Sequence, residues 1–495
     1  MSKPRRRSPH PTSPSAKHNG QVTASPAAPP QTPARRPAND DRDAWKAHWV
    51  AQGQLWRTEP EIDQKRQAEL EQRRAIAPDL GKGNYPFKGM KLSRADVEWL
   101  LATHDAGLGP VNWNKVAKRG RKGLDLRGAD LRRVDLSGLP LTRLCGGLPY
   151  DEWKNATEEQ RTAAGVFLGD ADLSGADLSG ADLREAQLEG ANLQEAQLEG
   201  ADLYGAQLKG ADLERAYLKR ACLRAHLEDA NLREAHLEDA NLIQAQLEGA
   251  NLIEARLEGA DLFQAHLGRA DLRAARLGRT HLSDVLLGDK RRIGPRLADV
   301  QWGDANLAVV EWSQVAQLCD EYEAHQKETR NGQKKAKWLH LIDYQEAVRA
   351  NRQLAVALQA QGLNEDAARF IYHAQKLQRI VLRRQRKFSQ YLFSLFLSLI
   401  AGYGYKLWRS FVAYLLVIVG FAAAYYLIGQ IVGPALSPLG AFVFSMTSFH
   451  GRGFFPGNNI SLDDPLTVLA ALEALVGLII EVTFIATLTQ RFFNR

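Results

Sequence analysis

The sequence predicts a multidomain chain: a middle built of short repeats, α-helical regions on either side of it, and a C-terminal two-span α-helical membrane domain with a re-entrant pore loop. Three observations predict it. Leucine recurs at every fifth position from Leu168 to Leu223 and, after one four-residue step, from Leu227 to Leu287; no helix or strand has a period of five. An unbroken apolar block runs from Phe411 to Val432, about 33 Å long as a helix and enough for a bilayer core of roughly 30 Å. A second block, Leu466 to Leu488, is interrupted only by Glu473 and Glu481 among charged residues, and the segment between the two blocks is too short and too polar to cross.

Composition sets the outer bounds. Of the 495 residues 45% are hydrophobic, with a mean hydropathy of −0.34, which fits soluble parts attached to a small membrane part and excludes a polytopic transporter. Cys145, Cys222 and Cys319 show no CxxC or CxH spacing, so neither a disulfide framework nor a zinc site is expected and the soluble bulk reads as cytosolic. The net charge of +7 gathers in the N-terminal arm and just before the membrane. A membrane surface accounts for it, and no nucleic-acid partner is expected. No nucleophile with a base, metal cluster or phosphate cradle stands at usable spacing, so the chain reads as a non-enzyme without catalytic residues, metal or cofactor.

Residues 1–42 are dominated by Pro, Ser, Arg and Ala and read as a disordered basic tail without the apolar core of an export signal. Residues 43–123 turn helical, with acid and base pairs three and four apart in EIDQKRQAELEQRRAI. GKGNYPFKGMK within them lacks the phosphate-loop frame and reads as a turn.

The repeat region, 124–312, opens with LDLRGADLRRVDLSGLPL, and alanine stands two places before most leucines, from Ala171 to Ala275. This A-[DN]-L-x-x pattern resembles the pentapeptide-repeat family. The resemblance implies a right-handed quadrilateral β-helix, four repeats to a square turn, with leucine and alanine inward. The 120 residues from Leu168 to Leu287 would make six turns and a rod of roughly 29 Å at the spacing of paired strands. The step between Leu223 and Leu227 predicts an irregularity or kink. Near 145–165 the period lapses into helical residues, a predicted insertion, and Leu297, Trp302, Leu307 and Trp312 restore it as an aromatic-capped last turn. His226 and His236 fall on opposite faces, and His226 and His266 two turns apart, roughly 10 Å; with His281 they read as surface residues. Between Val166 and Asp289 there are 23 Asp and Glu against 12 Lys and Arg, acidic enough to leave open a DNA-mimicking rod.

Residues 313–387 resemble a tetratricopeptide-type helical pair, with Gly362 ending one helix and Asn364 capping the next. Such a pair cannot bury its face alone, so it is expected to pack on the repeat or on another subunit. Its exit, RIVLRRQRK, is strongly basic. Residues 388–409 hold an apolar stretch of 13 residues, Phe388 to Ile400, too short to span and read as an interfacial helix with a turn at Gly402-Tyr403-Gly404.

The domain 410–495 comprises a span at 411–432, a re-entrant segment at 434–458 and a span at 466–488. Irregular backbone at membrane depth survives only against protein or a water-filled cavity, so this order implies a pore. Phe444, Ser445, Phe449 and the run ALEALVGLIIEVTFIATLTQRFF resemble the two-span pore module of potassium-channel-like proteins. That resemblance places the selectivity filter at Ser448, Phe449, His450, Gly451, Arg452, Gly453, Phe454 and Phe455, and an inner-helix hinge at Gly477. The potassium signature Thr-Val-Gly-Tyr-Gly is replaced by Gly451, Arg452, Gly453, Phe454 and Phe455. Glu473, Gly477, Glu481 and Ile485 share one helical face. Glu481, Ile485 and Leu488 are expected to line the pore, and Glu473 to support the filter by pairing with Arg452.

Basic residues precede the first span and follow the second, and only Arg452 stands between them. Both termini therefore face the cytoplasm of a multi-pass inner-membrane protein. The expected function is a homotetrameric ion channel, weakly selective for cations, whose partners are the lipid bilayer, inorganic ions and copies of itself; the sequence names no cytoplasmic regulator. A membrane-anchored scaffold or sensor, a DNA mimic, and anion selectivity through Arg452 are the alternatives.

Overall fold

The structure, a computed structural model, describes residues 36–38, 41–112, 121–328, 333–400, 407–431, 436–451 and 465–493. Most of the tail 1–42 and the Gly402-Tyr403-Gly404 turn lie outside the described residues. The chain divides into two units at Thr58 and Glu59. In the first, α1 (Arg42–Ala51) starts where Asp41 accepts from Ala44 N at 2.9 Å, and the Arg57 guanidinium lies 3.5 Å over the buried Trp49 ring.

The second unit begins with α2 (Gln64–Arg74), α3 (Arg94–Ala102) and a single turn α4 (His104–Gly107). Ser93 and Asp96 form a capping box at the head of α3. Gly83 and Gly89 are left-handed, and GKGNYPFKGMK, expected as a turn, makes two turns. Lys91 bridges Asp130, and Arg94 reaches Glu98 at 2.9 Å and Asp135 at 2.8 Å; α3 thereby seals the near end of the coil that follows.

From Asp125 onward the chain winds in four-sided turns. Asp172 bridges Asn192, Asp177 bridges Gln197, Asp182 bridges Asp202 and Gln187 bridges Gln207, all parallel and 20 residues apart, and the series continues up four columns. Among the described residues the expected β-helix consists of these single bridges and not of extended strands. The cause is the corner every five residues, which leaves one residue per side free to pair. Leucines and alanines fill the interior, from Leu168 and Ala171 at 0% exposed to Leu287 at 5%.

Each regular corner from Leu168 to Leu282, the four-residue step after Leu223 apart, holds its second residue after leucine in the left-handed region. Between Asp170 and Asp284 eight such residues are glycine, but fifteen are not, Glu195, Arg215 and Ala274 among them. A β-carbon there is disfavoured. Ala274→Gly is therefore expected to stabilise the coil by up to about 1 kcal/mol, net of glycine's greater freedom when unfolded, read as a raised melting temperature.

The four-residue step is absorbed at one corner. Ala225 N bonds Leu223 O at 2.8 Å, and the bridge offset falls to 19 from Gln207–His226 to Cys222–Asn241 before returning to 20 at His226–Gln246. The ladder passes through unbroken, so the irregularity stays local. At the predicted insertion Asp130 meets Phe167, 37 residues away, and the excess forms α5 (Tyr150–Trp153) and α6 (Glu158–Ala164). These lie on the flank of the coil, where Trp153 donates to Glu185 Oε1 at 3.1 Å. The far end closes on buried Leu297, Leu307 and Trp312, with Trp302 6.3 Å and Phe370 5.9 Å from the Trp312 ring.

A short helix α7 (Cys319–His325) leads to the hairpin of α8 (Lys337–Ala360) and α9 (Asn364–Arg384). Gly362, at φ +80°, ends α8 as expected. Asn364 does not cap α9: its N-cap is Leu363, with no side-chain bond. The link is so short that Leu363, whose N–H closes α8 on Leu358 O at 2.9 Å, also has to begin α9. The hairpin packs on the last turns of the coil. Gln361 accepts from Leu307 N at 2.7 Å and donates to Ala305 O at 2.8 Å, and Arg369 donates to Trp312 O at 2.6 Å.

A charged cluster joins coil to hairpin. Arg296, 13% exposed, lies 3.4 Å from Asp271, 3.3 Å from Glu323 and 3.4 Å from Glu346, with its Nε 4.0 Å from Asp320 Oδ1. Asp320 is 2% exposed. Burial pushes its carboxyl up to about 7, against the pull of the Leu297 N–H and Arg296. Between about pH 4, where the unfolded chain loses this proton, and about pH 7, the folded junction keeps it, so stability falls as pH rises through that window and levels off above it. Melting temperatures across the window are expected to show that slope, and Asp320→Asn to flatten it.

Candidate functional site

The C-terminal region consists of α10 (Phe388–Ile400) and three further helices: α11 (Leu407–Ile431), α12 (Pro438–Phe449) and α13 (Pro465–Phe493). Phe411–Ile431 and Pro465–Ile485 are each long and apolar enough to cross a membrane, with mean hydropathy 2.3. α12 has 12 residues, about 18 Å, roughly half a bilayer core. Ser437 caps it, accepting from Gly440 N, and Pro438 opens it.

α12 buries Ala441, Phe444, Ser445, Ser448 and Phe449, a helical stripe that lies between the two long helices. Ala441 and Phe444 pack with Tyr425 of α11 and with Leu466 and Ala470 of α13; deeper, Phe449 packs with Ile418 and Ile480. α12 therefore enters beside the start of α13 and stops near its middle. At Gly477 an added β-carbon would lie 2.1 Å from the Phe449 carbonyl oxygen. The glycine expected to act as a hinge is the seat of the α12 terminus, and α13 runs through it as one continuous helix.

Two polar clusters tie the three helices. Glu473 is 0% exposed; Tyr425 donates to its Oε2 at 2.7 Å, and the Ser445 hydroxyl lies 2.5 Å from its Oε1 and 2.9 Å from Ile418 O. A buried carboxyl so placed has its oxygens satisfied from both neighbouring helices. Among the described residues no Lys or Arg pairs with it, and Arg452, its expected partner, lies outside them. The second cluster joins His450 Nδ1 to Glu481 Oε1 at 2.5 Å and His450 Nε2 to the Tyr414 hydroxyl at 3.2 Å. Both bonds are satisfied when Nδ1 donates to Glu481 and Tyr414 donates to Nε2.

The structure redistributes the expected filter. Ser448 and Phe449 belong to the last turn of α12, 2% and 1% exposed, because their apolar and hydroxyl faces complete its buried stripe. His450 follows the helix and Gly451 is left-handed, at φ +65°. Arg452, Gly453, Phe454 and Phe455 lie outside the described residues, as does the Leu488 side chain. Within one chain the face carrying Glu473, Gly477 and Glu481 turns toward α12 and not toward an open cavity, whereas Ile485 stands exposed. Sequence reasoning missed Tyr414 and Tyr425. A hydroxyl in each of two places along an apolar span, opposite the two carboxylates of the other span, was the available signal.

The four outward histidines of the coil pair with carboxylates and not with one another: His266 with Glu248 at 3.0 Å and His281 with Asp261 at 2.9 Å, while His226 and His236 lie near Glu228 and Glu238. Among the described residues no His, Cys, Asp and Glu group has a metal-binding arrangement.

Comparison with known proteins decides the nature of the coil. Residues 167–203, 186–225 and 225–264 match the family described as Pentapeptide repeats. The coil is a pentapeptide-repeat domain. Among solved structures the chain is similar to HetL, a pentapeptide repeat protein involved in heterocyst differentiation regulation from the cyanobacterium Nostoc sp. strain PCC 7120, at 26% identity over 44% of this chain and 95% of that one, with a TM-score of 0.27. A pentapeptide repeat protein from the cyanobacterium Cyanothece 51142 is 27% identical over 36% of this chain and 88% of its own, with a TM-score of 0.13. A third, from the Arabidopsis thaliana thylakoid lumen, is 31% identical over 24% and 71%, with a TM-score of 0.13. Comparison with curated protein sequences finds no match. The pentapeptide-repeat domain thus stands in one chain with two possible membrane helices.

Proposed function

We propose that this chain is the subunit of a homotetrameric ion channel in the inner membrane, weakly selective for cations, with both termini and the pentapeptide-repeat domain in the cytoplasm. The observation that carries this reading is the depth at which α12 ends. A helix of 12 residues held between two candidate spans, its last carbonyl seated on Gly477 in the middle of α13, obliges the chain to turn back from membrane depth. Non-helical backbone there needs protein or water around it, and one chain cannot enclose it. Self-association has a ready surface. Val468, Leu472, Leu475, Ile479 and Val482 alternate steps of four and three along α13 and are 40–58% exposed, the seam by which a helix packs against copies of itself. The carbonyl end of α12, the negative end of its dipole, favours a cation at mid-membrane.

Purified protein in planar bilayers under asymmetric salt tests the proposal. Unitary currents reversing toward the cation potential are expected, together with a tetramer mass in nanodiscs. Reversal toward the anion potential would make Arg452 the selectivity element, and silence from a correctly inserted protein would leave the α11–α13 unit a membrane anchor.

A further inference from the structure

The ends of α8 and α9 are closed by one hydrogen-bond pattern, which α1 also shows at Gly53. At the end of α8, Gly362 N bonds Gln359 O at 3.0 Å and Leu363 N bonds Leu358 O at 2.9 Å, with Gly362 at φ +80°. At the end of α9, Arg386 N bonds Arg383 O at 3.2 Å and Lys387 N bonds Leu382 O at 3.0 Å, with Arg386 at φ +59°. The motif turns on a left-handed residue, usually glycine, and disfavours any residue with a β-carbon. An arginine is therefore held at the second corner against local preference, and an observed backbone outlier of this kind invites a functional reading. Arg383, Arg386 and Lys387 are exposed, and no described carboxylate is shown paired with any of them.

Past this corner, α10 displays Phe388, Leu392 and Phe396 at steps of four with Phe393 beside them, 62%, 61%, 37% and 63% exposed. Its other edge is fixed. Ser398 is buried, and its carbonyl accepts from Arg409 Nη1 at 3.3 Å, which ties α10 to the first turns of α11, where the first candidate span begins.

We propose that the α9–α10 elbow is a docking surface for anionic phospholipid, with Arg383, Arg386 and Lys387 taking headgroup phosphates while Phe388, Leu392, Phe393 and Phe396 enter the acyl layer. The surface is apolar where it adjoins the span and cationic at its head, the order of layers in an anionic leaflet, and each basic group at such a leaflet strengthens partitioning roughly fivefold. A second copy fits less well, since it would bring the same cations to the same face. The inference rests on α11 and α13 crossing a membrane and is independent of whether they conduct.

Hydrogen exchange on the full chain tests it, in nanodiscs of phosphatidylcholine alone and of phosphatidylcholine mixed with phosphatidylglycerol. Amides of residues 386–398 are expected to exchange about tenfold more slowly in the mixed discs. Arg386→Gly is expected to shrink that difference several-fold while raising the melting temperature of the hairpin, because glycine suits the corner. Equal protection in the two lipids overturns the proposal. So does protection that follows protein concentration and not lipid, which assigns the face to a second copy, or a lipid effect undiminished when Arg383→Gln and Lys387→Gln are added to Arg386→Gly. Unprotected α11 and α13 would overturn the membrane reading and this one with it; protected spans beside an unprotected α10 would overturn this one alone.

Discussion

Gly477→Ala is expected to unseat α12 from α13. The added methyl would meet backbone, the Phe449 carbonyl oxygen at 2.1 Å and its carbon at 3.0 Å, and backbone at the end of a packed helix cannot swing aside as a long side chain can. Overpacking of this severity belongs at or above the upper end of the usual range, about 3 kcal/mol. Melting of the full chain in detergent measures it, and a cysteine placed at Ser448, a buried position of α12, is expected to become reactive to thiol reagents only in the variant. Gly420→Ala supplies the control. The same exchange in α11 meets nothing within 4 Å and is expected to be neutral or stabilising, as alanine is in a helix interior. A hinge role for Gly477 would instead alter open probability while leaving the Ser448 position protected.

Arg296→Ala is expected to part the helical hairpin from the pentapeptide-repeat domain. The guanidinium is the shared partner of Asp271, Glu323 and Glu346 and faces Asp320, so its loss leaves several carboxylates crowded in a junction mostly closed to water. Removing one side of a buried ionic cluster costs about 3–5 kcal/mol. Amides of α8 and α9 are expected to lose exchange protection while those in the middle of the coil keep theirs. Glu346→Gln in the same chain is expected to recover part of the loss. Full protection of α8 and α9 in Arg296→Ala would mean that the glutamine and backbone contacts hold the hairpin without the charges.

The period of five was open to reading because leucine and alanine alone can fill so narrow an interior, and every departure from them is visible as a lapse. The looped-out helices, the short step and the aromatic far end all announced themselves in that way. The corners did not. Glycine at the second place after leucine is a legible left-handed signal at Gly190 or Gly200, but residues with a β-carbon, glutamate, arginine and aspartate among them, occupy the same conformation more often, and nothing in those residue types betrays it. Asn364 misled for the opposite reason: a good capping residue stands one place too late, after a residue already committed to closing the preceding helix. In the C-terminal region, length and hydropathy picked out the same two stretches that form long apolar helices, and the short helix between them followed from its apolar run. The filter residues taken from a family resemblance were less secure. Ser448 and Phe449 carry a buried stripe that continues the helix, a tertiary demand that a motif does not record. Glu473 was recognised as a carboxylate needing a partner at membrane depth; its hydroxyl partners come from Tyr425 and Ser445, residue types too ordinary in such helices to attract attention.

The unbroken passage of the ladder through the four-residue step has a consequence for how such a chain can change. The coil counts sides, not residues, and each side added ahead of Asp271, where the junction contacts begin, carries the helical hairpin a quarter of a revolution around the rod while advancing it only about 1.2 Å, a quarter of the spacing between paired strands. Four added sides restore the bearing and lengthen the rod by one rung. Insertion or loss of single repeats is therefore a dial for the direction in which the hairpin leaves the rod, adjustable without disturbing a single contact at the junction.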